Sequence, residues 1–332
     1  MKAYWRHHRP ARRERGTEVW RAGGSRLLDL GSDYGDAPPV LVVPSLVNRA
    51  HILDVTPERS LLGHLSAGGL RPFLLDWGEP GSEERAFRLA DYAIVRGGAA
   101  LRRMRRVTGR RPVLLGHCMG GLLALALAAA RRREVAGLAL LATPWDFHAD
   151  SSPPDLTAML VPATLAVATL GSAPVELLQS FFALIDQGGV AEKFAAFAGL
   201  PPDHPRARTF VAVEDWLADG VPLAGPAALE VLWSWYAANL PARGRWEVGG
   251  RRVLPGRLRL PAFLAIPRRD RIVPPASAGA LAALLPGAEV VRPSGGHVAM
   301  IVGARAREEL HEPLAEWLRR NAANPGDLSS RT

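Results

Sequence analysis

Residues 114–130 read LLGHCMGGLLALALAAA, and this stretch decides the fold. A short apolar run ends in Gly-His-Cys-Met-Gly-Gly and passes without a break into an Ala/Leu-rich segment, which is the pattern of a buried strand, a tight turn and a helix. The turn matches G-x-S-x-G with cysteine in place of serine. Such a turn holds its central residue in a strained backbone conformation, with the side chain presented at the strand's C-terminal end. Strand and helix then approach so closely that small flanking residues are required, and Gly116, Gly120 and Gly121 supply them. Cys118 is the single cysteine of the chain. A thiol at the start of a helix meets the helix's partial positive charge, which favours the reactive thiolate. The competing reading is a small buried apolar residue, the usual fate of a free cysteine; the strand–turn–helix context favours a nucleophile.

Moving outward, near-continuous apolar runs at 39–44 (PVLVVP), 71–77 (RPFLLDW), 111–116 (RPVLLG) and 135–144 (VAGLALLATP) read as strands buried on both faces of a parallel sheet. Helical spacing at 57–66, 86–107 and 119–132 separates them. This is a βαβ series and predicts a mostly parallel, doubly wound sheet covered by helices on both faces. The alternation lapses from 147 to 257, where helical segments such as VELLQSFFALI (175–185) and AALEVLWSWYAANL (227–240) are divided by prolines and no convincing strand is found. It resumes with strands at 260–267 and 288–293 and helices at 276–285 and 308–321. The expected organisation is a basic N-terminal arm (1–34), an α/β core (35–146 and 258–322), an inserted helical cap (147–257) and a flexible tail (323–332).

The 332 residues, 48% of them hydrophobic, suffice for a sizeable core and exclude a disordered chain. The net charge of +9 suits an anionic ligand, although arginine-rich composition also arises without functional meaning. The arm MKAYWRHHRPARRERG carries Lys2, Arg6, Arg9, Arg12, Arg13 and Arg15 against Glu14 and has no apolar core of a signal peptide. A single cysteine excludes an internal disulfide framework and a cysteine-built zinc site, so no metal is expected and the location reads as cytoplasmic. The longest apolar run, 158–170, is broken by Pro162 and is too short to span a bilayer.

A cysteine nucleophile needs a base, and the base an orienting acid, in the chain order nucleophile, acid, histidine. Of nine histidines only His297 and His311 follow the last strands; His297 sits in the Gly-flanked loop PSGGHVAM, whereas His311 falls on the terminal helix. For the acid, Asp270 in IPRRDRIVPP follows the strand 260–267, with Pro274 and Pro275 stiffening its loop. Asp146 in TPWDFHA is a rival one strand earlier, and Asp76 in LLDWG reads as structural. Acyl transfer also requires an oxyanion hole, for which the backbone N–H groups of Met119 and of Leu46 or Val47 are the candidates. The cap aromatics Phe181, Phe182, Trp216, Trp233, Trp235, Tyr236 and Trp246 either line an acyl channel or form plain core.

The segments VPSLVNRAHILDVTPERSLLGHL, LLDWGEP, GHCMGG, TPWDFH, EDWLADG, RGRWEVGGRRV, RRDRIVPP and SGGHVAMIVG resemble, in order, those of the polyhydroxyalkanoate synthase family, over about residues 39–302. The resemblance implies an α/β-hydrolase fold with a cap and a Cys118–His297–Asp270 triad. That triad takes a 3-hydroxyacyl group from coenzyme A, the substrate, and passes it to a growing polyester with no separate cofactor. It further implies a homodimer or second synthase subunit and a polyester granule as partners, and no nucleic acid. Two departures stand out: Arg271 follows the acid where the family has His, and Leu254-Pro255-Gly256 stands where the family reads Asp-Leu. His117 makes the box resemble the GHSMGG of esterases. A thioesterase or esterase on the same fold, and a non-catalytic granule-binding relative, are the alternatives.

Overall fold

The computed structural model describes residues 2–9, 15–31, 35–149, 157–185, 190–201 and 203–322. The four apolar runs that contain no charged residue past their first position form the middle of one eight-stranded sheet. Its strands are β1 (Thr17–Ala22), β2 (Ser25–Asp29), β3 (Pro39–Val43), β4 (Arg71–Asp76), β5 (Val113–His117), β6 (Gly137–Leu141), β7 (Ala262–Ala265) and β8 (Glu289–Val291). Their order is β1-β2-β4-β3-β5-β6-β7-β8, parallel from β4 onward.

Alternation along each strand divides the core into two. Leu41, Val43, Leu114, Leu138, Leu140 and Leu264 face one side, while Val40, Val42, Val113, Leu115, Ala139 and Phe263 face the other. On the far side pack α2 (Leu61–Ala67), α11 (Ala299–Val302) and α12 (Glu312–Ala322); Leu61, Leu62 and Leu65 of α2 are fully buried there. Burying each leucine contributes about 1.5–3 kcal/mol. On the near side lie α3 (Gly97–Thr108), α4 (Met119–Arg131) and α10 (Pro275–Ala283).

The pairing Val43↔Gly116 on one side of β5 and His117↔Leu141 on the other places the elbow at the centre of the sheet's C-terminal edge.

Two expectations are corrected. Residues 17–29, assigned above to a basic arm, form the β1–β2 hairpin. Arginines dominate the arm's composition, yet Leu27 and Leu28 point into the core, and Arg26 opposes Asp76 on β4 and pairs with it at 2.8 Å. Only α1 (Lys2–Arg6) and the residues just after it remain armlike among the described residues. The cap region, expected to lack strands, has short ladders joining Ser172–Ala173 to Leu223–Ala224 and Glu247–Val248 to Arg251–Arg252, each too brief for a periodicity signal. Otherwise it is built of α5 (Thr157–Leu170), α6 (Val175–Ile185), α7 (Val190–Ala198), α8 (Pro205–Ala218), α9 (Gly225–Glu230) and a π-helical turn, Val231–Ala237. The expected tail lies outside the described residues.

The elbow gives the sharpest stability prediction. A Cβ on Gly120 would lie 2.1 Å from the Val43 carbonyl oxygen and 2.4 Å from that of Pro44, both backbone, whereas one on Gly279 in α10 meets nothing within 4 Å. Gly120→Ala is expected to cost ~3 kcal/mol or more in urea unfolding. Gly279→Ala is expected to be neutral or to stabilise by up to ~1 kcal/mol.

Candidate active site

Cys118 occupies the turn between β5 and α4 with φ 55° and ψ −127°. A β-carbon makes this conformation costly, about 1–3 kcal/mol, so the surroundings must hold it. They do so through backbone. The Cys118 N–H donates to the Leu141 carbonyl at 2.9 Å, and its own carbonyl accepts from the Gly121 N–H at 2.9 Å. The side chain is half-buried, at the start of the 13-residue helix α4.

Asp270 and His297 arrive from the loops after β7 and β8. The two loops are joined by a hydrogen bond from the Arg269 N–H to the Gly295 carbonyl at 3.2 Å. Oδ1 of Asp270 accepts from the N–H groups of Ile272 and Val273 at 2.9 and 2.8 Å, which fixes the carboxylate; Oδ2 lies 2.7 Å from His297 Nδ1. His297 and Cys118 lie together at the floor of one cavity. Burial works against a charged imidazole. The Asp270 carboxylate foremost, with Cys118 beside it, overcomes that penalty and raises the His297 pKa well above its usual value. Ser294, which opens the histidine loop, donates from N and Oγ to Glu309 at 2.7 and 2.8 Å and anchors the loop to the terminal helical segment.

Asp146, the rival acid, is engaged elsewhere. Its carboxylate accepts from the His148 N–H at 2.9 Å and from Asn239 Nδ2 at 2.7 Å, which ties the loop after β6 to the end of the π-helical turn. Asp76 pairs with Arg26, in keeping with a structural role. His311 is buried on the far side and bonds the Ile301 carbonyl.

The loop after β3 lies against the first turn of α4, since it is the carbonyls of Val43 and Pro44 that leave no room beside Gly120. Trp77 Nε1 holds that loop by donating to the Pro44 carbonyl at 3.0 Å. The Val47 N–H is occupied by Ser45 Oγ at 3.2 Å, which leaves Leu46 as the better of the two loop donors to act with Met119.

Above Cys118 is a cavity of about 370 Å³. Its floor holds His117, Cys118 and His297; its walls come from the loop 44–50 and from cap helices α6 and α8, through residues such as Leu178, Gln179, Trp216 and Leu217. Of the cap aromatics, Trp216 lines the cavity. Trp235 and Trp246 are buried and pack together edge-to-face with centroids 5.6 Å apart, and Trp233 is largely exposed. Tyr236 is bracketed by Phe147 and Phe181, and burial together with the charge at Cys118 raises its pKa. The Phe182 side chain lies outside the described residues. Apart from Trp216, the α6 and α8 wall was not picked out in the sequence; its trace there is the helical spacing of Val175, Leu178 and Gln179.

His117 is the other group that composition could not place. It is 4% exposed, its ring lies 5.3 Å from that of His297, and its Nε2 has no hydrogen-bond partner among the described residues. Burial, with His297 adding to it, lowers its pKa to about 3, so it stays neutral. Arg271, in place of the family's His, is exposed at the loop surface. Among the described residues no group of three or more His, Cys, Asp or Glu side chains could hold a metal ion.

The raised pKa of His297 has a defined effect on stability. Its contribution is complete below the unfolded imidazole's value, about 6.5, and is lost as pH rises through the raised folded value. His117, shifted the opposite way, contributes above its unfolded value and loses that contribution as pH falls. In Asp270→Asn the loss of unfolding free energy relative to the parent should be largest near pH 6 and shrink toward alkaline pH; a loss that grows with pH contradicts the assignment.

Comparison with known proteins agrees with the fold. A family model described as alpha/beta hydrolase fold matches residues 38–167. The chain is 29% identical to the poly(3-hydroxyalkanoate) polymerase subunit PhaC of Allochromatium vinosum over 87% of this chain and 82% of that protein. It is 28% identical to the PhaC subunit of Haloferax mediterranei over 84% of this chain but only 58% of that longer protein. Among solved structures, an esterase from Thermogutta terrifontis superposes with a TM-score of 0.58 at 21% identity, covering 94% of this chain and all of the esterase. The chain has the α/β-hydrolase fold and is similar over most of its length to poly(3-hydroxyalkanoate) polymerase PhaC subunits.

Proposed function

We propose that the chain is a polyhydroxyalkanoate synthase-like acyltransferase that uses Cys118, His297 and Asp270 to move a 3-hydroxyacyl group from coenzyme A to a hydroxyl acceptor. The observation that carries this reading is His297, held by Asp270 at 2.7 Å and set with the one cysteine of the chain at the floor of a cavity. The similarity to PhaC subunits supplies the substrate class.

In the first half-reaction the Cys118 thiol gives its proton to His297 and its sulfur attacks the thioester carbonyl. The oxygen that gains charge is met by the backbone N–H groups of Met119 and Leu46. Collapse expels the coenzyme A thiol, which takes the proton from His297 and leaves the acyl group on Cys118. In the second half-reaction His297 removes the proton of the acceptor hydroxyl, whose oxygen attacks the acyl-cysteine; the C–S bond breaks, the ester leaves, and the Cys118 sulfur takes the proton back from His297. Asp270 keeps the imidazole oriented and stabilises its cation throughout. A thioester on cysteine conserves acyl-transfer potential, whereas an oxygen ester on serine is more stable. The cysteine therefore favours transfer. The net charge of +9 attracts the phosphates of coenzyme A. This reading extends to a cytoplasmic setting, with a homodimer or second synthase subunit and a polyester granule as partners; no helix among the described residues is long and apolar enough to cross a membrane.

Incubation with 3-hydroxybutyryl-CoA, following free coenzyme A and the acyl product, tests the proposal. Ester-linked oligomer or polymer is expected, and Cys118→Ala should reduce coenzyme A release by ~10³-fold or more. Free acid as the sole product makes the chain a thioesterase, and turnover that survives Cys118→Ala removes the nucleophile assignment.

A further inference from the structure

The basic N-terminal residues have no part in the chemistry above, yet they are built into the cap. Helix α1 packs on α7, and Tyr4, 6% exposed, is enclosed by Phe197, Ala207 and Val211, with its ring edge-on to Phe194 at 5.7 Å. Its hydroxyl donates to Asp215 Oδ1 at 2.5 Å. Arg9 reaches the same carboxylate with two nitrogens, Nε to Oδ2 at 2.8 Å and Nη2 to Oδ1 at 3.1 Å, while its guanidinium stacks 4.6 Å over the Tyr4 ring. A planar, bidentate arginine of this kind fixes direction as well as distance.

Asp215 stands on α8 between Glu214 and Trp216, both of which line the cavity over Cys118, as do Leu217 and Ala218 beyond them. At its other side α8 is tied to the loop after β3. Trp216 Nε1 donates to the Arg49 carbonyl at 2.7 Å, and the Arg49 guanidinium bonds Asp219 at 2.8 Å just past the helix. Lys193 on α7 pairs with Glu214 at 2.8 Å, which links α7 to α8. The cavity wall is thus held between an inner tether to the elbow side and an outer tether to residues 4 and 9.

We propose that residues 2–9 brace the cap: Tyr4 and Arg9, acting through Asp215, are positioning residues that hold the α8 wall over Cys118 and thereby set the size of molecule that reaches the thiol. The ion pair is about one-third exposed, so its contribution is directional more than energetic. The buried Tyr4 ring anchors residues 2–9 to the cap, and the contacts to Asp215 set the direction of α8. The inference goes beyond the acyltransferase reading and does not depend on which thioester is the substrate.

The test is alkylation of Cys118 in the full chain by a small reagent, iodoacetamide, and by a bulky one, N-(1-pyrenyl)maleimide. Arg9→Ala, Asp215→Asn and Tyr4→Phe should each raise the pyrenylmaleimide rate by roughly 5–10-fold while the iodoacetamide rate stays within about twofold. Arg9→Ala should add little once Asp215→Asn is present, because both break one contact. Tyr4→Phe keeps the ring in its phenylalanine cluster, so it reports on the hydroxyl even where a larger truncation unfolds the cap. Pyrenylmaleimide rates unchanged in all three variants, with only the melting temperature lowered, overturn the proposal and reduce the arm to a stabilising contact. A parallel rise of both reagents' rates also overturns it, since that reports general loosening.

Discussion

Everything at this site follows from one backbone constraint, the left-handed turn of Cys118 at the end of β5. A residue with a β-carbon adopts φ 55° only if the strand before it and the helix after it are locked, and here both are. The Cys118 N–H is fixed to β6, and α4 lies so close to β3 that hydrogen alone fits at Gly120. The same closeness brings the loop after β3 against the N-terminus of α4, so the strained turn and the site proposed around it rest on one geometric solution.

The electrostatics build on that geometry. With the thiol fixed, the loops after β7 and β8 carry Asp270 and His297 to it, and their mutual hydrogen bond at Arg269 and Gly295 keeps the pair in register. Asp270 already has two backbone donors on its other oxygen, so it serves His297 in one direction only. His117, neutral and with no hydrogen-bond partner for its Nε2 among the described residues, adds no competing charge. The cap completes the enclosure. Asp146 and Asn239 hold its π-helical turn to the core, while the N-terminal residues and Arg49 hold α8 from two sides.

Much of this was legible because it is local. Strands buried on both faces must be apolar throughout, so β3 to β7 announce themselves, and the elbow's glycines mark a steric requirement that no other residue type meets. Asp270 and His297 could be picked out because both follow strands, at the edge where the elbow opens. What was hidden depends on contacts distant in sequence. The β1–β2 hairpin was obscured by its arginines, one of which, Arg26, pairs with Asp76 some fifty residues on. Asp146 and Asp270 look alike until Asn239 is seen to claim the former. The cavity wall from α6 and α8 has no signature, since a helix face turned to a cavity reads like one turned to core. The docking of Tyr4 on Asp215 spans more than two hundred residues and carries no pattern at all.

The central claim is that this strained, sheet-centred cysteine accepts the acyl group through the His297–Asp270 pair. Peptide mass mapping after a brief pulse of labelled 3-hydroxybutyryl-CoA, quenched in acid, tests it most directly. The account predicts a hydroxylamine-labile hydroxybutyryl adduct on the peptide containing Cys118, lost in His297→Ala. Coenzyme A release with the label on another residue, or an adduct on Cys118 that forms equally fast without His297, would contradict it.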